Sequence, residues 1–251
     1  MYYFDEKYGI PNKKPPEGET IGYYEIGDWL DKHGKGDVLI FTQDILPYTA
    51  YDITPFSDDS KLERFIRRGG IVVWLGDAPF AFRLHCYETT ERQKLEKIKR
   101  MLEKATAHLP VPEMITSKFG IFEKENKLCV NDVIYGYHID EERVHYSDMM
   151  RKHMEFYKLN DICFLSEKQP TETTITGKLL GYNGKFTIRP TKLTTNIEPI
   201  TRLELYGVCA GKYAGAFAKK LGKGYFLRLY DVPEEVDMEK VNEIVKKIME
   251  A

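Results

Sequence analysis

Apolar and polar positions along the chain fall into blocks with two periods. "DVLIFTQD" (37–44) and "IVVWLGD" (71–77) are unbroken apolar runs closed by aspartate. Strands buried on both faces of a parallel sheet have this pattern. Between them, "SDDSKLERFIRRGG" sets Leu62, Phe65 and Ile66 at helical spacing, with Ser60 placed to cap the helix and Gly69-Gly70 to stop it. "MYYFD" reads as a short strand ending at Asp5, and Asn12 to Thr20 as a loop. "IGYYEIGDWLDKHGKG" reads as a helix with Tyr23, Ile26 and Leu30 facing inward, stopped by Gly34 and Gly36. Strand and helix thus alternate in the first third of the chain, which predicts a parallel α/β arrangement.

Further along, the spacing of Leu95, Ile98, Met101, Leu102 and Ala105 predicts a long helix over Thr89 to His108, closed by Pro110 and Pro112. From 114 to 198 the pattern breaks into short strand-like pieces ("KLCVNDVIYGY", "DICFLS", "GKFTIRP") and one candidate helix in "HYSDMMRKHMEFY". That stretch reads as an insertion or subdomain within a single domain spanning 1–251. "ITRLELYGVCAG", "YAGAFAKKL" and "GYFLRLYD" then read as strands, with glycine turns at Gly211 and Gly222-Lys223-Gly224 making a terminal β-hairpin. The chain closes on an amphipathic helix whose Val241, Ile244, Val245 and Ile248 would cover the sheet.

Composition narrows the classes. Apolar residues make up 42% and charged residues 30%, enough for a packed core in 251 residues and too apolar for disorder. A net charge of -2 gives no general polyanion-binding surface, so nucleic acid is not an expected partner. No apolar run reaches membrane-span length and no signal peptide opens the chain, so no membrane association is expected. Cys86, Cys129, Cys163 and Cys209 are widely spaced without a C-x-x-C pair, which suggests neither a zinc knuckle nor a dense disulfide framework. A reducing, cytoplasmic setting is the expectation. Glutamine is confined to Gln43, Gln93 and Gln169 while Lys and Glu abound, a balance that hints at a thermophile.

Candidate chemistry sits at the strand ends, because ligands of parallel α/β sheets bind outside the carboxyl ends of the strands. Those ends read Asp5, Asp44, Asp77 and Asp231. Converging, they would hold a divalent cation or supply a general acid and base, with Asp44 and Asp77 the best pair; separate, each caps a turn. Arg83 and His85, just beyond Asp77, are placed to contact an anionic group. His138, His145 and His153 lie near Asp140 and Asp148, but without H-E-x-x-H or similar spacing no metal site is assigned. Neither Gly34-Lys35-Gly36 nor Gly222-Lys223-Gly224 matches a phosphate loop. No particular cofactor is implied.

"DVLIFTQDILP…SKLERFIRRGGIVVWLGDAPF" and "YAGAFAKKLGKGYFLRLYD" resemble the class I glutamine-amidotransferase-like superfamily, notably its trehalose-utilisation-type (ThuA-like) branches. The likeness covers roughly 1–85 and 198–250. It implies a three-layer, mostly parallel, flavodoxin-like sheet with a terminal β-hairpin and an inserted mixed region. Gly207-Val208-Cys209-Ala210-Gly211 has the G-x-C-x-G letters of that superfamily's nucleophile elbow. The family's cysteine, however, follows the third parallel strand, and here that place holds Asp77-Ala78-Pro79. The family's base lies downstream of its cysteine, whereas this chain has no histidine after His153. Cys209 therefore reads as a small residue packed in a hairpin, and glutaminase chemistry is not expected. Three functions remain open: a non-catalytic domain binding a small ligand or protein partner, a hydrolase or transferase using Asp44 and Asp77, and a subunit of a larger assembly such as a homo-oligomer.

Overall fold

The computed structural model describes residues 2–4, 18–22, 25–42, 45–51, 60–76, 79, 82–87, 121–124, 127–132, 138–140, 143–145, 163, 165, 167–232 and 235–250. Its largest sheet has seven strands. In spatial order these are β15 (Glu198–Pro199), β18 (Phe217–Leu221), β19 (Gly224–Tyr230), β5 (Ile71–Leu75), β3 (Val38–Phe41), β1 (Tyr2–Phe4) and β2 (Glu19–Ile21). The five strands from β19 to β2 run parallel, while β18 and β15 join antiparallel. β3 and β5 are buried at every position, as their unbroken apolar runs predict.

Alternate residues of these strands feed two cores. Leu39, Phe41, Val72, Trp74, Phe217 and Phe226 pack against α1 (Ile26–Lys32) and α3 (Lys61–Arg67). Ile40, Val73, Leu75, Leu227 and Leu229 pack against Val241, Ile244 and Val245 of the last helix, Met238–Glu250. That helix is numbered α5 here, with α2 at Tyr48–Tyr51 and α4 at Ile175–Leu180. α3 begins as its sequence directs: the Ser60 hydroxyl accepts the Glu63 amide at 3.1 Å. At its far end α3 meets the first residue of β19. A Cβ on Gly224 would stand 2.1 Å from the Gly70 carbonyl oxygen and 2.3 Å from that of Ile66. Only glycine lets the strand pass this close to the helix terminus.

Elsewhere the strands are short and pair mainly antiparallel. β4 (Ile45–Pro47), β6 (Phe82–Tyr87), β8 (Lys127–Asp132) and β7 (Ile121–Lys124) form one four-stranded sheet, in which only β4 with β6 is parallel. β12 (Glu172–Thr173), β16 (Thr201–Leu205), β17 (Gly211–Ala214) and β14 (Thr191–Lys192) form another, wholly antiparallel. β9 (His138–Asp140) with β10 (Arg143–His145), and β11 (Gln169–Pro170) with β13 (Phe186–Thr187), are antiparallel pairs. A mostly parallel, three-layer, flavodoxin-like sheet therefore does not describe this chain. It is mixed α/β, with mostly antiparallel pairing spread over several small, separate sheets and few helices. Strands joined by tight turns, as at Gly222-Lys223, can only fold back on their neighbours; parallel pairing needs a long crossover.

The loop expected over Asn12 to Thr20 ends earlier, since Glu19 and Thr20 begin β2. The helices expected over Thr89 to His108 and in "HYSDMMRKHMEFY" lie outside the described residues. Among the described residues no helix is long and apolar enough to cross a membrane.

Cys209 lies in a 3-10 turn, Gly207–Cys209, between β16 and β17 and is bonded to Cys163. The reading of Cys209 as a small packed residue is thus corrected: it is half of a cross-link closing a 46-residue separation. The pairing could not be read from the sequence, because contacts near each cysteine set it, and spacing does not. Cys163 is brought into place by backbone pairing, its amide donating to the Pro190 carbonyl at 3.0 Å.

Candidate functional site

Of the strand-end carboxylates, Asp231 is described and Asp5, Asp44 and Asp77 lie outside the described residues. Asp231 follows β19 and is buried. Its carboxylate accepts the Ile188 amide at 2.9 Å, the Arg189 amide at 3.1 Å and the Thr187 hydroxyl. The Arg228 guanidinium, itself fully buried, stands 3.3 Å from it and also donates to the Arg189 carbonyl. Two amides, a hydroxyl and a cation thus gather at one of its oxygens, Oδ2. Asp231 is therefore an anchor that fastens residues 187–189 to the end of β19.

Two tyrosines brace the same end of β19. The Tyr182 hydroxyl donates to the Leu229 carbonyl, and the Tyr230 hydroxyl to Asn183 Oδ1, with ring centroids 5.1 Å apart. Burial holds the Tyr182 phenol well above its ordinary pKa, helped by the negative charges of Asp231 and Glu235. Burial, then Asp237 and Glu235, raises Tyr230 likewise. Both rings stay neutral across the physiological range, so they serve as fixed hydrogen-bond donors.

Arg83 and His85 sit on β6, in the separate four-stranded sheet, with Arg83 opposite Leu46 and Asp132 and His85 opposite Val130. Their backbone is strand. His138 and His145 face each other in register across β9 and β10, and Asp140 faces Arg143. His153 and Asp148 lie outside the described residues. No group of three or more metal-ligating side chains occurs among the described residues.

The structure instead opens a cleft of about 660 Å³ at the β18 edge of the main sheet. Its walls come from four elements. α4 gives Thr176 and Leu180, α5 gives Lys247 and Ile248, the end of α3 gives Arg67, and β18 gives Lys219 and Lys220. The turn at Thr195 and Asn196 closes one end. Arg67, Lys219, Lys220 and Lys247 thus share its lining with one carboxylate, Glu198. Glu198 already accepts the Thr176 hydroxyl at 2.5 Å.

Local structure fixes these groups. Thr174 caps α4 by accepting the Gly177 amide at 3.1 Å, and its hydroxyl donates to the Pro199 carbonyl at 2.6 Å, tying α4 to β15. Lys247 donates to the Leu179 and Leu180 carbonyls at 3.1 and 3.2 Å, closing the C-terminus of α4 with a cation where the helix dipole favours one. Lys220 reaches over the Tyr225 ring, 5.8 Å from its centroid. Sequence reasoning missed this site. Its one legible signal was "TTITGKLLG", with a threonine cap and a glycine stop around a short helix. Cations drawn from distant stretches leave no local motif. No family model matches the chain, and a search of the curated proteins finds no match.

Proposed function

We propose that the chain is a non-catalytic binding domain whose cleft at the β18 edge takes an anionic ligand. The observation that carries this reading is the lining of the cleft: Lys220 and Lys247 stand on its walls, while the carboxylate of Glu198 is held by the Thr176 hydroxyl. Low-dielectric walls concentrate such a field, so an anion gains more there than on open surface. The chemistry at the other end of the sheet supports the non-catalytic part. Cys209 is tied to Cys163 and offers no thiolate, and Asp231 is committed to Arg228 and the 187–189 backbone. A carboxylate-based hydrolase or transferase would rest on Asp44 and Asp77. Cytoplasmic residence suits a disulfide-bearing chain where intracellular disulfides persist, as in hyperthermophiles, in keeping with the Lys- and Glu-rich, Gln-poor composition.

Thermal unfolding in the presence of citrate, pyrophosphate and a sugar phosphate, at low salt, tests the proposal. A bound anion at a hundredfold excess over its Kd adds about 2.7 kcal/mol. In a chain of this size that raises the melting midpoint by roughly 5–10 °C. Lys220→Glu should remove most of the rise. A midpoint unmoved by every anion, or moved equally in the variant, overturns the reading.

A further inference from the structure

Resting on the anionic-ligand reading above, we infer that the ligand is an amphipathic aliphatic anion: a hydrocarbon chain with one anionic head, such as a carboxylate. The margin of the second core carries this. Val241, Ile244 and Val245 of α5 are fully buried over the sheet. The same helical stripe continues to Ile248, which is only half-buried. Leu180 of α4, Ala218 of β18 and Tyr225 of β19 are half-buried members of the same margin. All four line the cleft. Strand register explains how they meet. Ala218 and Lys220 share a face of β18, and Tyr225 stands opposite Lys220 across the ladder. The sheet face covered by α5 thus runs on into the cleft, where its apolar surface stays open. Hydrocarbon laid on that surface removes it from water, and a purely hydrophilic anion does not.

Two cations border the apolar floor. The Lys220 ammonium lies 5.8 Å from the centroid of the Tyr225 ring. The Lys247 ammonium donates to the Leu179 and Leu180 carbonyls, which leaves a third proton for a ligand. Neither forms an ion pair among the described residues. Arg67 and Lys219 also line the cleft but have partners of their own. Set against Glu198, Lys220 and Lys247 leave a surplus of one positive charge, which a single anionic head balances. Lysines act as point charges and do not select a planar head, so the chain decides specificity. Lys220 occupies a face of the Tyr225 ring, and the other half-buried groups, Leu180, Ala218 and Ile248, are aliphatic. A flexible chain follows such walls better than a rigid ring does. The volume, about 660 Å³, lies within the roughly 300–1,000 Å³ of small-molecule sites.

Isothermal titration calorimetry on the full chain tests this with hexanoate, octanoate, decanoate, decanol and citrate, the amphiphiles kept below micelle formation. Each methylene buried should tighten binding by about two- to fourfold, so decanoate should bind at least about tenfold tighter than hexanoate or citrate. Ile248→Gln should weaken decanoate by at least about fivefold and leave citrate unchanged. Lys220→Glu should weaken both by about tenfold, whereas Lys246→Glu, an equal charge change on the exposed surface of α5 away from the cleft, should leave both within about twofold. Affinity that does not grow with chain length overturns the inference and leaves the anionic cleft standing, provided that Lys220→Glu still weakens citrate. Decanoate binding that neither Ile248→Gln nor Lys220→Glu alters lies elsewhere on the chain and also overturns it. Decanol binding as tightly as decanoate overturns the anionic reading itself, and binding of no probe overturns both. Circular dichroism confirms that each variant is folded before its affinity is compared.

Discussion

Asp231 is the counter-charge of an arginine that no water reaches. Removing one partner of a buried pair leaves the other uncompensated, at a cost of about 3–5 kcal/mol. Asp231→Ala should therefore lower the unfolding free energy by that amount in urea titration. It should also release residues 187–189, whose amides it receives. A stability unchanged within error would mean that the carboxylate is free for ligand chemistry after all. The tyrosines beside it give a pH signature. Both have folded pKa values raised above the ordinary value near 10, so the fold favours their neutral forms. Below about pH 10 that contribution is complete, and stability declines as pH climbs above it. Urea midpoints measured from pH 8 to 11 should fall at the alkaline end, and Tyr182→Phe should flatten the fall.

Among the elements, the junction of α3 with β19 is the tightest. Both atoms that a Gly224 methyl would strike are backbone carbonyl oxygens, so no rotamer change relieves the contact. Gly224→Ala should cost at least about 1–3 kcal/mol, read as a lowered midpoint in chemical denaturation. Elements of this part were legible in the sequence for physical reasons. The runs around β3 and β5 are apolar because both sheet faces are covered, and Ser60 announces α3 because four helix N–H groups need acceptors. The smaller sheets were illegible because strands such as β12 and β14 are two residues long, too short for a period to show. The cleft was hidden for a related reason. Its cations lie at 67, 219, 220 and 247, and only the turn at Thr195 and Asn196 and the capping of α4 bring them to one place. Asp231 was found as a strand end, but its role depended on the 187–189 backbone, which has no sequence signature.

At the scale of the molecule, the Cys163–Cys209 bond is a covalent constraint on the fold. For a separation of 46 residues, the loss of loop entropy in the unfolded chain corresponds to about 4 kcal/mol in the chain-entropy account. Cys209→Ser should lower the unfolding free energy by roughly 2–4 kcal/mol, and a reductant should destabilise the native chain by at least as much. Alkylation of native, unreduced protein followed by peptide mass analysis gives the direct check: labelled Cys209 would remove the bond from the account.

The bond also divides the cleft. Thr176, Thr195 and Glu198 lie inside the ring that it closes, while Arg67, Lys219, Lys220 and Lys247 lie outside. One wall is therefore carried on a closed covalent circle, the other on the open chain. A protease that cuts once between 164 and 208 leaves two fragments still joined through sulfur, and the wall returns to the same neighbours. Protein nicked between 199 and 208 should bind as the intact chain does until a reductant is added, at which point Lys219, Lys220 and Lys247 leave on one fragment and Arg67, Thr176, Thr195 and Glu198 on the other.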